Sequence, residues 1–259
     1  MKTYQERMDC WRHTQYLSQN SQYDESIKYY FDDEFNFEKK YQYTPYQVLD
    51  DDVLDCNIRM IQSGYDPAVL CFSDGIAPGG SIDCGTRSQE ENIFRRTNYY
   101  KTLKEKYYPI SNNECVYSPN VIIYKSSEKY NWDMLHNLYM THLIACPIMK
   151  SPKLTTGYND LKMFNKNDEK IFLDKIRLVF QVAYNNNHDS LILGAFSCDA
   201  IKGPIEHVAQ LFKQVMNEYD GMFKLIAYTI PINEPEYSVR RHNYLTGMNE
   251  IFSDIFNKR

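Results

Sequence analysis

No CxxC pair, no HExxH motif and no internal repeat occurs along the chain. The seven cysteines, Cys10, Cys56, Cys71, Cys84, Cys115, Cys146 and Cys198, are odd in number and scattered. That argues against a disulfide framework or a zinc site and favours a reducing compartment. The six histidines are equally dispersed. The opening segment MKTYQERMDC has no apolar signal core, and no stretch approaches the roughly 20 apolar residues of a membrane span. An excess of positive charge is also missing. The net charge is −5, which opposes direct nucleic-acid binding as the main role, since counterion release needs a basic face. A local site for an anionic small molecule remains compatible with this balance. The expectation is a soluble intracellular protein, cytoplasmic or nuclear, monomeric and independent of membranes.

What is present is enough to build a core. The chain has 259 residues, 43% of them hydrophobic and 24% charged, which fits one large domain or a domain with an extra lobe. Up to about Ser63 the sequence is polar and helix-prone. The acidic run Asp50, Asp51 and Asp52 precedes Val53, Ile58 and Ile61 at helical spacing, which marks a helix start. From Ala68 the texture changes to short apolar runs: AVLCFS, NVIIYK, THLIACP, SLILGAF and FKLIAYTIP. Near-continuous apolarity bounded by Pro, Gly or Asn is the pattern of strands buried on both faces. Between them EKIFLDKIRLVFQVAYN and PIEHVAQLFKQVM carry apolar stripes at helical spacing, and YSVRRHNYLTGMNEIFSDIF closes the chain as a helix. Strands alternating with helices predict an α/β sandwich, mainly parallel.

In such folds ligands gather at the carboxyl ends of the strands. Two glycine-containing loops lie there. The first, APGGSIDCGTRS, follows AVLCFS and leads into QEENIFRRTNYYKTL, read as one helix with Ile93, Thr97, Tyr100 and Leu103 on a face. Gly79 and Gly80 allow close backbone approach and expose N–H groups. Ser88 and Glu91 match the S-x-x-E capping box, so Glu90 and Glu91 have two readings. They cap a helix, or they form a catalytic carboxyl pair. The second loop, GAFSCDAIKGP, ends at a helix start whose unpaired N–H groups suit a phosphate. Lys202 favours an anion there and Asp199 opposes one.

Taken together, PGGS, seven residues, QEE, RR, and a later GAFSC loop ending in Pro resemble the microbial-type poly(ADP-ribose) glycohydrolase macrodomain family. That family carries three glycines, six to eight residues and Gln-Glu-Glu, then a loop resembling Gly-Ala-Phe-Gly-Cys-Gly-Ala-Phe. The resemblance covers roughly Ala68 to Phe256 and implies a three-layer α/β/α macrodomain-like sandwich on a mixed, mostly parallel sheet; residues 1–66 look like the helical N-terminal extension of the microbial branch, packed on a core of residues 67–259. It implies a hydrolase that cleaves the ribose O-glycosidic bond of poly(ADP-ribose) or ADP-ribosyl conjugates and releases ADP-ribose. Its ligands would be ADP-ribose or ADP-ribosylated proteins. Glu91 would be the catalytic acid, and Glu90 would bond the hydroxyls of the cleaved ribose. Gln89, Gly79, Gly80 and Ser81 would line the catalytic loop. Gly194, Ala195, Phe196, Ser197, Cys198, Asp199, Ala200, Ile201, Lys202 and Gly203 would form the diphosphate loop. Three positions depart from the pattern: Ser81 replaces the third glycine, Asp199 a loop glycine and Ile201 an aromatic residue. A macrodomain that binds ADP-ribose with weak or no catalysis is the alternative. Cys198 is expected to be a small buried residue, Trp11 and Trp132 packing residues, His207 and His242 surface or packing residues. Arg95 and Arg96 are expected on an exposed helix face unless they meet phosphate.

Overall fold

The computed structural model describes residues 2–157, 160–196, 198, 204–232 and 239–257. In chain order the elements are α1 (Tyr4–Ser18), β1 (Ile27–Tyr30), β2 (Tyr46–Leu49), α2 (Val53–Gln62), β3 (Pro67–Ser73), α3 (Gln89–Arg96), α4 (Tyr99–Thr102), β4 (Glu114–Lys125), β5 (Met134–Pro147), β6 (Leu154–Thr156), β7 (Lys162–Phe164), α5 (Lys166–Asn185), β8 (Ser190–Gly194), α6 (Ile205–Glu218), β9 (Leu225–Thr229) and α7 (Val239–Asn257). Seven strands form one sheet in the order β1-β4-β5-β3-β8-β9-β2, and β6 and β7 make a separate small ribbon. β5, β3, β8, β9 and β2 run parallel, while β1 and β4 are antiparallel at one edge.

Alternation along β3 shows how the layers arise. Ala68 and Leu70 face a core built with Phe172, Ile176 and Val179 of α5, Val208 and Phe212 of α6, and Phe252 of α7. Val69 and Cys71 face the opposite core, with Trp11 of α1, Leu54 of α2, and Ile93 and Phe94 of α3. Successive strand side chains point to opposite faces, so a strand apolar at every position needs helices on both sides. The three-layer α/β/α sandwich with its mostly parallel sheet follows. No helix among the described residues is long and apolar enough to cross a membrane.

Two expectations are corrected. The stretch before residue 67 is not purely helical. β1 pairs with β4 and β2 with β9, so this stretch supplies strands to the main sheet as well as α1 and α2. Each strand has only four residues, with no fully buried position, too short and too wet for apolar alternation to register. The single helix read from Gln89 to Leu103 is broken after Arg96. Thr97 is extended, with φ −138° and ψ 169°, and bridges Ile123. Asn98 then exchanges hydrogen bonds with the Ile122 backbone, and this β-like docking onto β4 outcompetes helix continuation.

Candidate active site

The first glycine loop leaves the carboxyl end of β3 and returns as α3. Ser88 caps α3, its Oγ accepting the Glu91 N–H at 3.3 Å. The reciprocal half of a capping box is not made. The Glu91 carboxyl turns toward the glycine loop, where Oε1 accepts the Ser81 N–H at 3.2 Å and the Thr86 hydroxyl. Its second oxygen, Oε2, is buried and has no hydrogen-bond partner. A buried polar atom without a partner is uncommon, because desolvation goes uncompensated. Helix capping alone therefore does not account for Glu91.

Glu90 lies deeper, 2% exposed. Its Oε2 accepts the Asp74 N–H at 2.8 Å and its Oε1 the Gly79 N–H at 3.0 Å, with Ser73 Oγ at 3.4 Å. Burial pushes its pKa up to about 8, against the downward pull of the two backbone N–H groups. Gln89 is turned to β3. Its Oε1 accepts the Phe72 N–H at 2.7 Å and its Nε2 donates to Leu70 O at 2.9 Å. That clamp fixes where α3 begins and so where both carboxyls stand.

The glycines act differently. Gly79 has φ +76°, and a Cβ there would lie 2.9 Å from the Phe94 ring, so both backbone and space demand glycine. Gly80 has φ +54°, and a Cβ would lie 3.6 Å from Glu91 Oε1 and 3.7 Å from Glu90 Oε2, covering the pair. Ser81 has φ −103° and is exposed. Any L-residue can occupy that backbone, and the group in use there is the N–H, which every residue but proline carries. The serine in place of a third glycine is thus accommodated. Asp74 shapes the loop, its Oδ1 accepting the N–H groups of Ile76 and Ala77 at 2.6 and 3.2 Å. From outside, Trp11 Nε1 donates to Asp83 at 2.9 Å, so α1 braces the same loop.

At the second loop, Gly194 ends β8. A Cβ there would meet Phe72 Cζ at 2.8 Å and Thr229 O at 3.1 Å, so glycine permits the close passage. Ala195 is half-buried. Phe196 is 1% exposed and packs on Phe172 and Phe72, so its side chain belongs to the core. Cys198 is fully buried, as expected, and its carbonyl accepts the Tyr244 hydroxyl at 3.1 Å. The positions Ser197, Asp199, Ala200, Ile201, Lys202 and Gly203 lie outside the described residues.

Arg95 and Arg96 do not sit on an exposed face; both are buried. Arg96 pairs with Asp52 and Asp55 and donates Nε to Lys125 O at 3.1 Å. Arg95 donates to Thr86 O. The end of α3 is enclosed by α2 and β4, and the acidic run that caps α2 compensates the buried guanidinium. His207 is a packing residue, accepting the Phe164 N–H at 3.1 Å beside Glu169 at 3.3 Å. Trp11 and Trp132 are both buried. A cavity of about 260 Å³ opens between α2 and the β4–β5 turn, lined among others by Asp50, Asp51, Arg59, Lys129 and Tyr130. None of its lining residues comes from either glycine loop.

Sequence reasoning missed Ser73, Asp74, Thr86 and Tyr108, which surround the carboxyls. Ser73 and Asp74 stand at the end of AVLCFSD, where the strand-end rule could have found them. Tyr108 reaches Ser73 from 35 positions away, and no spacing announces it.

A layered α/β/α sandwich with two adjacent buried carboxyls under a glycine loop, at the carboxyl end of a central strand, defines a macrodomain-like fold. Residues 2–126 match the family model described as Microbial-type PARG, catalytic domain, so over that stretch the chain is similar to the microbial-type poly(ADP-ribose) glycohydrolases. The poly(ADP-ribose) glycohydrolase of Thermomonospora curvata superposes with a TM-score of 0.77 at 16% identity, covering 97% of this chain and 100% of that one. Its complex with the inhibitor ADP-HPD gives 0.73 at 15% identity, over 96% and 99%. The Deinococcus radiodurans enzyme in complex with ADP-ribose gives 0.67 at 16% identity, over 98% and 92%. At such identities the likeness establishes the fold. No curated protein sequence matches the chain.

Proposed function

We propose that this protein is a glycosidase that hydrolyses the ribose O-glycosidic bond of poly(ADP-ribose) or ADP-ribosyl conjugates and releases ADP-ribose. Glu91 carries the reading: its Oε1 is fixed by Ser81 and Thr86, and its buried Oε2 has no protein partner. In this reading Oε2 faces the leaving oxygen and Glu91 delivers the proton that cleavage of an acetal requires. Glu90, held from behind by the loop backbone, receives the hydroxyls of the ribose being cleaved. Gly79 and Gly80 keep the space over the pair open, and the loop after β8 takes the diphosphate at the start of α6. The family match over residues 2–126 supports the same assignment, as does the fold shared with glycohydrolases crystallised with ADP-HPD and ADP-ribose. No metal or redox cofactor enters this chemistry, since the proton comes from a side chain and the nucleophile is water.

Two organised carboxyls favour hydrolysis over binding alone. The deciding experiment is incubation with automodified poly(ADP-ribosyl)ated protein, followed by chromatography of the products. Release of ADP-ribose is expected. Retention of intact polymer together with tight ADP-ribose binding would make the protein a binding module instead.

A further inference from the structure

Behind Glu90 lies a chain of hydroxyls whose protons can be counted. Ser73 Oγ is 2.8 Å from Asp74 O, 3.1 Å from the Tyr108 hydroxyl and 3.4 Å from Glu90 Oε1. Serine has one proton and two lone pairs. A carbonyl oxygen only accepts, and the Asp74 contact is the shortest, so the Ser73 proton goes there. Tyr108 keeps its proton, because burial pushes its pKa up, and it donates to one Ser73 lone pair. The other lone pair is left facing Glu90 Oε1. A bare carboxylate oxygen would meet that lone pair with no proton between them. We infer that Ser73 and Tyr108 are positioning residues that hold a proton on Glu90 Oε1, so that the deeper of the two adjacent carboxyls is a neutral acid in the free protein.

The surroundings agree. The titratable groups facing Glu90 are Asp74 from the loop, Glu91 on its own helix, Cys71 from β3, Tyr99 from α4 and Tyr108. Every one is an acid or a neutral hydroxyl or thiol, and none is a cation. Cations act only on the outer acids of this set: Lys150 stands 3.8 Å from Asp74 Oδ2, with its side chain 54% exposed, and the buried Arg95 guanidinium interacts with Glu91. A charged Glu90 would therefore sit buried beside other acids, whereas a neutral one does not. The two N–H groups that Glu90 accepts are satisfied in either state.

This inference rests on the reading of Glu90 and Glu91 as the ribosyl-cleaving pair only for its catalytic consequence. The proton itself is measurable without turnover. Infrared spectra at neutral pH are expected to show the carbonyl stretch of a buried protonated carboxyl in the wild type. That band should be missing in Glu90→Gln and lost or strongly reduced in Ser73→Ala. Tyr108→Phe, which keeps the ring, serves as the second variant if Ser73→Ala fails to fold, and should weaken the same band. In the pH profile of kcat/KM on poly(ADP-ribose), the alkaline limb reports loss of this proton from the free enzyme. It should move at least one unit toward acid in Ser73→Ala and return in Ser73→Thr, which restores a hydroxyl. A wild-type spectrum without the band, or a band that persists in folded Ser73→Ala and Tyr108→Phe alike, overturns the inference. If wild type releases no ADP-ribose at any pH, the glycohydrolase reading fails, and the infrared result still decides the proton.

Discussion

Two glutamates that share a helix turn meet very different surroundings here, and the difference is made by single atoms. Glu90 is embraced by backbone N–H groups of Asp74 and Gly79, while one oxygen of Glu91 is left without a partner. Glu91→Gln keeps the shape and the acceptor for Ser81 but cannot deliver a proton. Turnover on poly(ADP-ribose) should fall by ~10²–10⁴-fold, the usual weight of a general acid, while the melting temperature stays within a few degrees of wild type. Wild-type turnover in this variant would return Glu91 to the role of a loop anchor. The neighbouring glycines give a paired test of stability against activity. Gly79→Ala puts a side chain at φ +76° and against the Phe94 ring. Left-handed strain of ~1–2 kcal/mol and overpacking of ~1–3 kcal/mol should show as an earlier urea midpoint. Gly80→Ala carries the same left-handed strain at φ +54° but makes only ordinary contacts, 3.6 Å from Glu91 Oε1 and 3.7 Å from Glu90 Oε2, so it should lose activity with a smaller change in midpoint. Equal midpoints for the two variants would contradict the close Gly79–Phe94 contact.

At the scale of elements, α3 is the piece on which the site depends. The first turn is clamped to β3 by Gln89, and the last turn is locked to α2 by Arg96 between Asp52 and Asp55. The Arg96 side chain is fully enclosed, while its partners are 13% and 18% exposed. Arg96→Ala strands two carboxylates and leaves a void, a change that costs ~3–5 kcal/mol when a buried pair is broken. Arg96→Met, which refills the void but not the charge, should recover part of it. Denaturant unfolding of both variants measures this, and a loss below ~1 kcal/mol for Arg96→Ala would mean the pair is solvated. Much of this was legible beforehand. The capping serine, the glycine pair, the carboxyl pair and the acidic helix start can all be read from local spacing. The burial of Arg95 and Arg96 was not, because an arginine pair on an amphipathic helix looks the same whether solvent or a distant aspartate faces it. The end of α3 at Thr97 was illegible for the same reason: the competing partner, Ile122, lies on a strand 25 positions later.

Across the whole molecule the parallel strands were legible because they are apolar on both faces, and the edge strands β1 and β2 were not because neither face is dry. The sheet also has a second polar end, invisible in the sequence, at the amino ends of the strands opposite the carboxyl pair. Tyr117 of β4, His142 of β5 and His188 ahead of β8 meet Asp66 ahead of β3. The Tyr117 hydroxyl lies 2.8 Å from His188 Nε2 and 3.2 Å from His142 Nδ1, and Asp66 lies 3.2 Å from His188 Nδ1. Burial and the neighbouring His188 hold the His142 pKa down at about 4, and burial lowers that of His188 despite Asp66. Both imidazoles therefore bind protons less readily folded than unfolded, where histidine titrates near ~6.5. The unfolded chain takes up more protons as pH falls from ~6.5, so this contribution to stability is fully present above ~6.5 and is lost progressively toward pH 4. One such group can steepen the dependence by at most ~1.4 kcal/mol per pH unit. Urea unfolding of wild type and His142→Gln between pH 7 and 4 tests it. The wild-type midpoint should drop more steeply with acid than that of the variant, in which one titrating imidazole is gone. Parallel pH dependence in the two proteins would show that His142 stays solvated and titrates as it does in the unfolded chain.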